Sequence, residues 1–167
     1  MNPGHWQPSA SLWALKQRAG VLAVLRNFFA ERGVLEVQTP VLMTHTVTDP
    51  HIDSLTLTSG EYLQSSPEYA MKRLLAAGAP SIYQLGPVFR AGESGRLHNP
   101  EFTMLEWYRL GFDDAALMTE LAELVDAVMG AADYATLPFS QLLASSPLGA
   151  ECEQDLRISA AIETLQA

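Results

Sequence analysis

Arg90, Phe102, Glu106 and Tyr108 are the residues of this sequence whose types and spacing best suit joint chemistry. Arg90 closes an apolar run, a polar loop with Gly92 and Gly95 follows, and the chain returns as F-T-M-L-E-W-Y over residues 102–108. In a strand, successive side chains leave on opposite faces. Phe102, Met104, Glu106 and Tyr108 would then share one face, with Arg90 delivered from the neighbouring strand, while Thr103, Leu105 and Trp107 share the other. Arginine is a permanent planar cation that holds two oxygens at once, which suits a phosphate or a carboxylate. Phe102 offers a flat surface to a planar ring, and the two glycines let the loop bend close to a ligand. A carboxylate buried on that face without a partner is costly, so Glu106 needs a cation from the protein or from a ligand. The plain structural alternative is an internal Arg90–Glu106 ion pair with Tyr108 at the rim, and structural ion pairs are commoner than binding sites.

The elements that position these residues read as an α+β domain, an antiparallel sheet flanked by helices. A helix starting near Ser9 or Ser11 and ending at Gly33 is expected from the stripe Leu15, Ala19, Leu22, Leu25 and Phe29, read as core. A short extended piece broken at Pro40 follows, then a loop over 46–53 and a hairpin turning near Ser59 and Gly60. In S-S-P-E-Y-A-M-K-R-L-L-A-A-G, Ser66 is suited to cap a helix, Pro67 fits its first position and Gly78 ends it. Residues 81–90 read as a strand leading into the Arg90 loop. Leu117, Leu121, Leu124 and Val128 give a last helix between Asp113 and Gly130. Beyond it the pattern suggests a loop, a short helix near 138–146 and a helix from Asp155.

Composition narrows the function. The chain of 167 residues is 48% hydrophobic, a globular composition, and no apolar run approaches the ~20 residues of a membrane helix. No signal peptide is read at the N-terminus, and the single cysteine, Cys152, fits a reducing, cytoplasmic setting. Net charge is −9, yet residues 68–109 hold five basic against four acidic side chains, while 110–167 hold one against ten. Nucleic-acid affinity is built largely from Lys and Arg contacts, so the balance disfavours tRNA or DNA. The balanced island suits a small anionic ligand.

V-F-R-A-G-E-S-G-R-L-H-N-P-E-F-T-M-L-E-W-Y resembles motif 2 of the class II aminoacyl-tRNA synthetases in its lysine-specific form. The end of the first helix through E-V-Q-T-P-V-L, about 20–43, resembles motif 1, and the segment from Ser65 to Gly78 is similar to the amino-acid-binding segment of the lysyl enzymes. Motif 2 spans about 83–109. The whole is most similar to the lysyl-tRNA synthetase paralogues that lack an anticodon-binding domain and attach (R)-β-lysine to elongation factor P. Residues 9–167 would be the catalytic domain and 1–8 a tail. Only about a dozen residues precede the first helix, where a lysyl-tRNA synthetase would carry a barrel of roughly a hundred residues.

The resemblance implies roles. Arg90, the expected catalytic residue, would bridge the ATP α-phosphate and the amino-acid carboxylate; Phe102 would stack on adenine, and Asn99 would contact the nucleotide. Gly92, Glu93 and His98 line the same ATP-binding loop, although His98 is equally read as a hydrogen-bonded loop residue. Ser66, Pro67, Glu68 and Tyr108 would hold the lysine-like substrate, with Glu106 facing its ammonium. ATP and Mg²⁺ are the implied cofactors, the metal's ligands being expected beyond residue 167. His45 and His51 lack metal spacing and are read as exposed. The partners implied are elongation factor P as acceptor, (R)-β-lysine or lysine as substrate and a second copy in a homodimer, with no tRNA and no membrane.

Two features depart from the pattern. Motif 2 usually reads F-R-x-E, whereas Gly92 stands at the glutamate position and the acid, Glu93, comes one residue later. Motif 3, expected far downstream with a second arginine, is not in this chain, which is about half a catalytic domain of this type. A truncated, non-catalytic dimerising or nucleotide-binding module, or a lysyl-tRNA synthetase fragment, are therefore the alternatives to a ligase.

Overall fold

The computed structural model describes residues 7–138 and residue 141. Ser11 opens the first helix, α1 (Leu12–Glu31): its backbone is extended and its hydroxyl accepts the Ala14 N–H at 3.1 Å. Gly33 ends it in the left-handed region, at φ 66°, where a residue with a Cβ costs roughly 1–2 kcal/mol. The chain continues through β1 (Leu35–Glu36), β2 (Leu42–Met43), β3 (Tyr62–Leu63), α2 (Glu68–Ala76), β4 (Ile82–Phe89), β5 (Glu101–Tyr108) and α3 (Asp114–Met129). Asp113 caps α3 by accepting the Ala116 N–H at 2.8 Å.

The architecture is α+β, as expected, but the main sheet is mixed. Its order is β1-β4-β5, with β1 parallel to β4 and β4 antiparallel to β5. The parallel pair arises because β1 reaches β4 by a crossover that contains α2. The hairpin around Gly60 forms, with Leu57 N–H donating to Glu61 O at 2.8 Å and Leu63 N–H to Leu55 O at 2.9 Å. Its returning strand, β3, also pairs with β2.

One face of the main sheet meets the helices. Phe28, Phe29, Val34, Tyr83, Leu85 and Leu124 form the core, and Leu22, Leu25, Leu105 and Trp107 pack against it. Phe29 stacks on Tyr83 with ring centroids 4.5 Å apart and lies 5.7 Å from Trp107. The stripe expected of α1 is only partly core. Phe29 is fully buried, but Leu15 is 48% exposed and Ala19 is exposed as well, so the buried part of the stripe lies towards the C-terminal end of the helix. Glu120 of α3 is buried on the same side, accepting the Trp107 indole N–H at 3.0 Å and lying 3.1 Å from Arg109 Nε.

The compact unit containing all of these elements runs to Ala131. In the unit that follows, Gln141 N–H donates to Pro138 O at 3.0 Å. Apart from Pro138 and Gln141, the helices expected near 138–146 and from Asp155 lie outside the described residues. Among the described residues no helix is long and apolar enough to cross a membrane.

Candidate active site

The other face of the β4–β5 pair carries the residues singled out by their chemistry. Register places Val88 opposite Phe102, Gln84 opposite Glu106 and Ile82 opposite Tyr108, so all of these side chains share one face. Arg90 extends the ladder past β4, its N–H donating to Pro100 O at 2.9 Å. The guanidinium of Arg90 lies 5.3 Å from the centre of the Phe102 ring, and its Nε donates to Ser65 O at 3.4 Å. The Arg90–Glu106 ion pair, the plain alternative, does not form. Among the described residues Arg90 has no carboxylate partner.

Glu106 turns instead to the segment that opens α2. Phe89 N–H donates to Gln64 O at 2.8 Å, which carries residues 64–66 alongside the end of β4. Pro67 is fully buried, with helical backbone angles, and fixes where the helix begins. The Ser66 hydroxyl accepts the Glu68 N–H at 3.1 Å and donates to Glu106 Oε1 at 2.5 Å. The N-cap position is thus Pro67, one residue later than expected, and Ser66 from just before it holds the first helical N–H and orients the carboxylate. Glu68 accepts Lys72 Nζ at 2.5 Å, one turn along.

Two carboxylates thus lie within electrostatic reach of each other. Burial pushes the Glu106 carboxyl above its usual range, the nearby Glu68 adds to that, and the Ser66 hydrogen bond, Arg90 and Lys72 oppose it. Tyr108 is pushed up to about 12, chiefly by burial and then by Glu106 and Glu68. It stays a neutral phenol, able to donate to one group while accepting from another.

The loop between β4 and β5 holds the rest. Gly92 sits at φ 75°, so the position where motif 2 usually has glutamate is left-handed here, which favours glycine. Glu93 Oε2 lies 3.9 Å from His98 Nε2, a contact that is ionic only when the imidazole is protonated. Gly95 N–H donates to His98 O at 3.0 Å, and Ala91 N–H reaches Asp53 O at 2.7 Å, tying the loop to residues 46–53. His98 and Asn99 are exposed, as are His45 and His51. The structure therefore brings Ser66, Arg90, Phe102, Glu106 and Tyr108 together, with Glu68 at the adjoining start of α2 and Gly92, Glu93, His98 and Asn99 in the loop joining the two strands, whereas Pro67 is fully buried and positions the helix.

Two contributors escaped the sequence reading. Lys72 was legible only as the E-x-x-x-K spacing after Glu68. The buried layer of Thr39, Gln64 and Gln84 had no local signal: Thr39 N–H donates to Gln84 Oε1 at 2.8 Å and Gln64 Nε2 to Pro87 O at 2.9 Å. It ties the chain before Pro40 to β4 at Gln84, the cross-strand neighbour of Glu106.

An unpaired arginine beside an aromatic ring fits a phosphate ester carrying a flat base. The carboxylates and phenol suit an ammonium group. For Mg²⁺ the fit fails among the described residues, where no three His, Cys, Asp or Glu side chains converge.

The family of class II tRNA synthetases specific for D, K and N matches this chain over residues 6–154. The chain belongs to that family. Elongation factor P–(R)-β-lysine ligases of three organisms are similar to this class II synthetase chain. That of Vibrio cholerae is 46% identical across 97% of this chain and 54% of its own. That of Pseudoalteromonas translucida is 49% identical across 92% and 52%, and that of Yersinia pestis 46% identical across 95% and 53%. The chain spans about half the length of these curated relatives. Among solved structures, asparaginyl-tRNA synthetase from Pyrococcus horikoshii, complexed with asparaginyl-adenylate, superimposes with a TM-score of 0.58 at 27% identity. That match covers 68% of this chain and 27% of the other. The class II synthetase fold is thereby shown from structure as well as from sequence.

Proposed function

We propose that residues 9–167 carry the motif 1 and motif 2 portion of an ATP-dependent ligase that activates (R)-β-lysine, or lysine, and transfers it to a lysine of elongation factor P. The observation that carries this reading is the division of charge on the β4–β5 face. Among the described residues Arg90 has no carboxylate partner beside Phe102, while Glu68 and Glu106 lie within electrostatic reach of each other further along. A diamino acid bound to ATP has the complementary layout: anions where it is being activated, ammonium groups at its other end.

The chemistry then follows from position. A substrate carboxylate oxygen attacks the α-phosphorus of ATP and pyrophosphate leaves, giving the aminoacyl-adenylate. The carboxylate is already a nucleophile, so the step needs orientation and charge stabilisation more than a base. Arg90 supplies both, holding two anions that otherwise repel. Phe102 supports the adenine ring, with Asn99, Glu93 and His98 in the adjoining loop. Ser66 and Tyr108 orient the substrate against Glu106 and Glu68. In the second step a deprotonated lysine amine of the acceptor attacks the carbonyl carbon, an amide forms and AMP leaves. A net charge of −9 supports a protein acceptor over tRNA. The exposed apolar side chains of Val21, Leu35, Val41 and Leu42 support self-association through motif 1.

ATP–pyrophosphate exchange tests the proposal, with (R)-β-lysine, L-lysine and no amino acid run side by side and Arg90→Ala as control. Exchange that prefers β-lysine and is lost with the arginine is the expected result. Preference for L-lysine would favour a lysyl-tRNA synthetase portion. Nucleotide binding without exchange would favour the non-catalytic module.

A further inference from the structure

The substrate reading leaves one charged residue at the site unused. Lys72 projects from α2 one turn after Glu68, with Nζ 2.5 Å from Glu68 Oε1, and both side chains are solvent-accessible, at 56% and 42%. Glu68 raises the proton affinity of both Glu106 and Tyr108, which places its charge within electrostatic reach of the substrate face. An ammonium group entering that face therefore meets a carboxylate that already has a cation. Glu106 differs: it is held by a neutral hydroxyl, Ser66, and keeps its charge for a ligand.

We propose that Lys72 is a displaceable counter-ion, holding Glu68 in the ligand-free site and yielding it to an ammonium group of the incoming diamino acid. The inference rests on the substrate reading above. An ammonium on a flexible four-carbon stem, paired across an exposed helical turn, is held weakly enough to leave. Its presence spares the empty site two uncompensated neighbouring carboxylates, and its departure restores both of them to the ligand. A substrate with one ammonium has Glu106 alone to engage without displacing Lys72, so the exchange favours diamino over monoamino acids.

Calorimetric binding of (R)-β-lysine and L-lysine to the intact chain and to Lys72→Met, each with and without Glu68→Gln, separates the outcomes. Removing the competitor is expected to tighten diamino-acid binding roughly two- to fivefold, the range an exposed ion pair allows. With Glu68→Gln present, Lys72→Met should change little, because the lysine acts chiefly through Glu68 and only weakly on Glu106 directly. The acid limb of binding gives a second readout. Glu106 is faced by Ser66, Glu68, Arg90 and Lys72. Losing one of its two opposing cations moves that limb to higher pH in Lys72→Met. Weaker or unchanged binding by Lys72→Met overturns the proposal, as does a gain that is undiminished beside Glu68→Gln. Absence of binding by the unaltered chain overturns the substrate reading itself, a result distinguishable from either.

Discussion

Replacing Glu106 by glutamine should make the ligand-free protein more stable while nearly abolishing its hold on a lysine-like substrate. A carboxyl whose proton affinity is raised by folding is protonated more readily in the native state than in the unfolded chain. Its stabilising contribution is then full below the ordinary value of 4.5 and is lost as pH rises through the folded value. At pH 7 Glu106 is a net cost, from burial first and from Glu68 second. Glutamine removes the charge and still offers an oxygen to the Ser66 hydroxyl. For a half-exposed group in screening solvent the gain is about 0.5 kcal/mol, or roughly 1–2 °C in Tm for a chain of this size. Substrate binding moves the other way. A hydrogen bond to a charged group contributes about 1.5–3 kcal/mol, so affinity for the ammonium should fall about 10- to 150-fold. Urea denaturation at pH 7 and pH 4, with calorimetry of lysine binding, measures both quantities. The stability gain should shrink towards zero at the lower pH. If Glu106→Gln is less stable than the parent at pH 7, Glu106 is a structural ion-pair partner and the division of charge on this face is wrong.

Three further substitutions, at two positions, test the frame around the site. Gly92→Glu restores the usual motif 2 pattern but puts a Cβ at φ 75°, where no neighbour lies within 4 Å of it. The cost is backbone strain alone, about 1–2 kcal/mol, and Gly92→Asn should lose less, since asparagine tolerates that region; equal denaturation midpoints for all three would show that the loop rearranges. Glu120→Ala strips the partner from Arg109 and from the Trp107 indole together, which at a buried site costs roughly 3–5 kcal/mol. Denaturation followed by tryptophan fluorescence checks this, and a loss under about 1 kcal/mol would mean that the Arg109 side chain and the Trp107 indole find other partners.

Much of this arrangement was legible from local pattern. Ser11 and Asp113 cap the helices whose starts they mark, and the parity of residues 102–108 separates the core face from the site face without any tertiary information. What could not be read was whatever depends on distant partners. Whether Arg90 would pair with Glu106 turned on Ser66, 40 residues away, which takes the carboxylate. The parallel pairing of β1 and the buried contact of Thr39 with Gln84 depend on a crossover whose geometry no short window contains. Leu15 reads as core because helical periodicity reports an apolar stripe and not which part of it is covered.

The same parity also couples the two faces. Leu105 and Trp107 pack against the core, and the strand alternates, so Glu106 and Tyr108 are presented to the site only while those two stay inward. A slip of one residue between β4 and β5 would exchange the faces, putting the carboxylate under the helices and the indole at the substrate. Three anchors oppose that slip: the packing of Phe29 with Tyr83 and Trp107, the Trp107–Glu120 hydrogen bond, and the eight paired positions from Ile82–Tyr108 to Phe89–Glu101. Residues that never touch a ligand therefore decide which side of the sheet carries its chemistry. The buried Glu120, which looks extravagant in a small core, is explained by that role: its hydrogen bond is available to the indole in one register only.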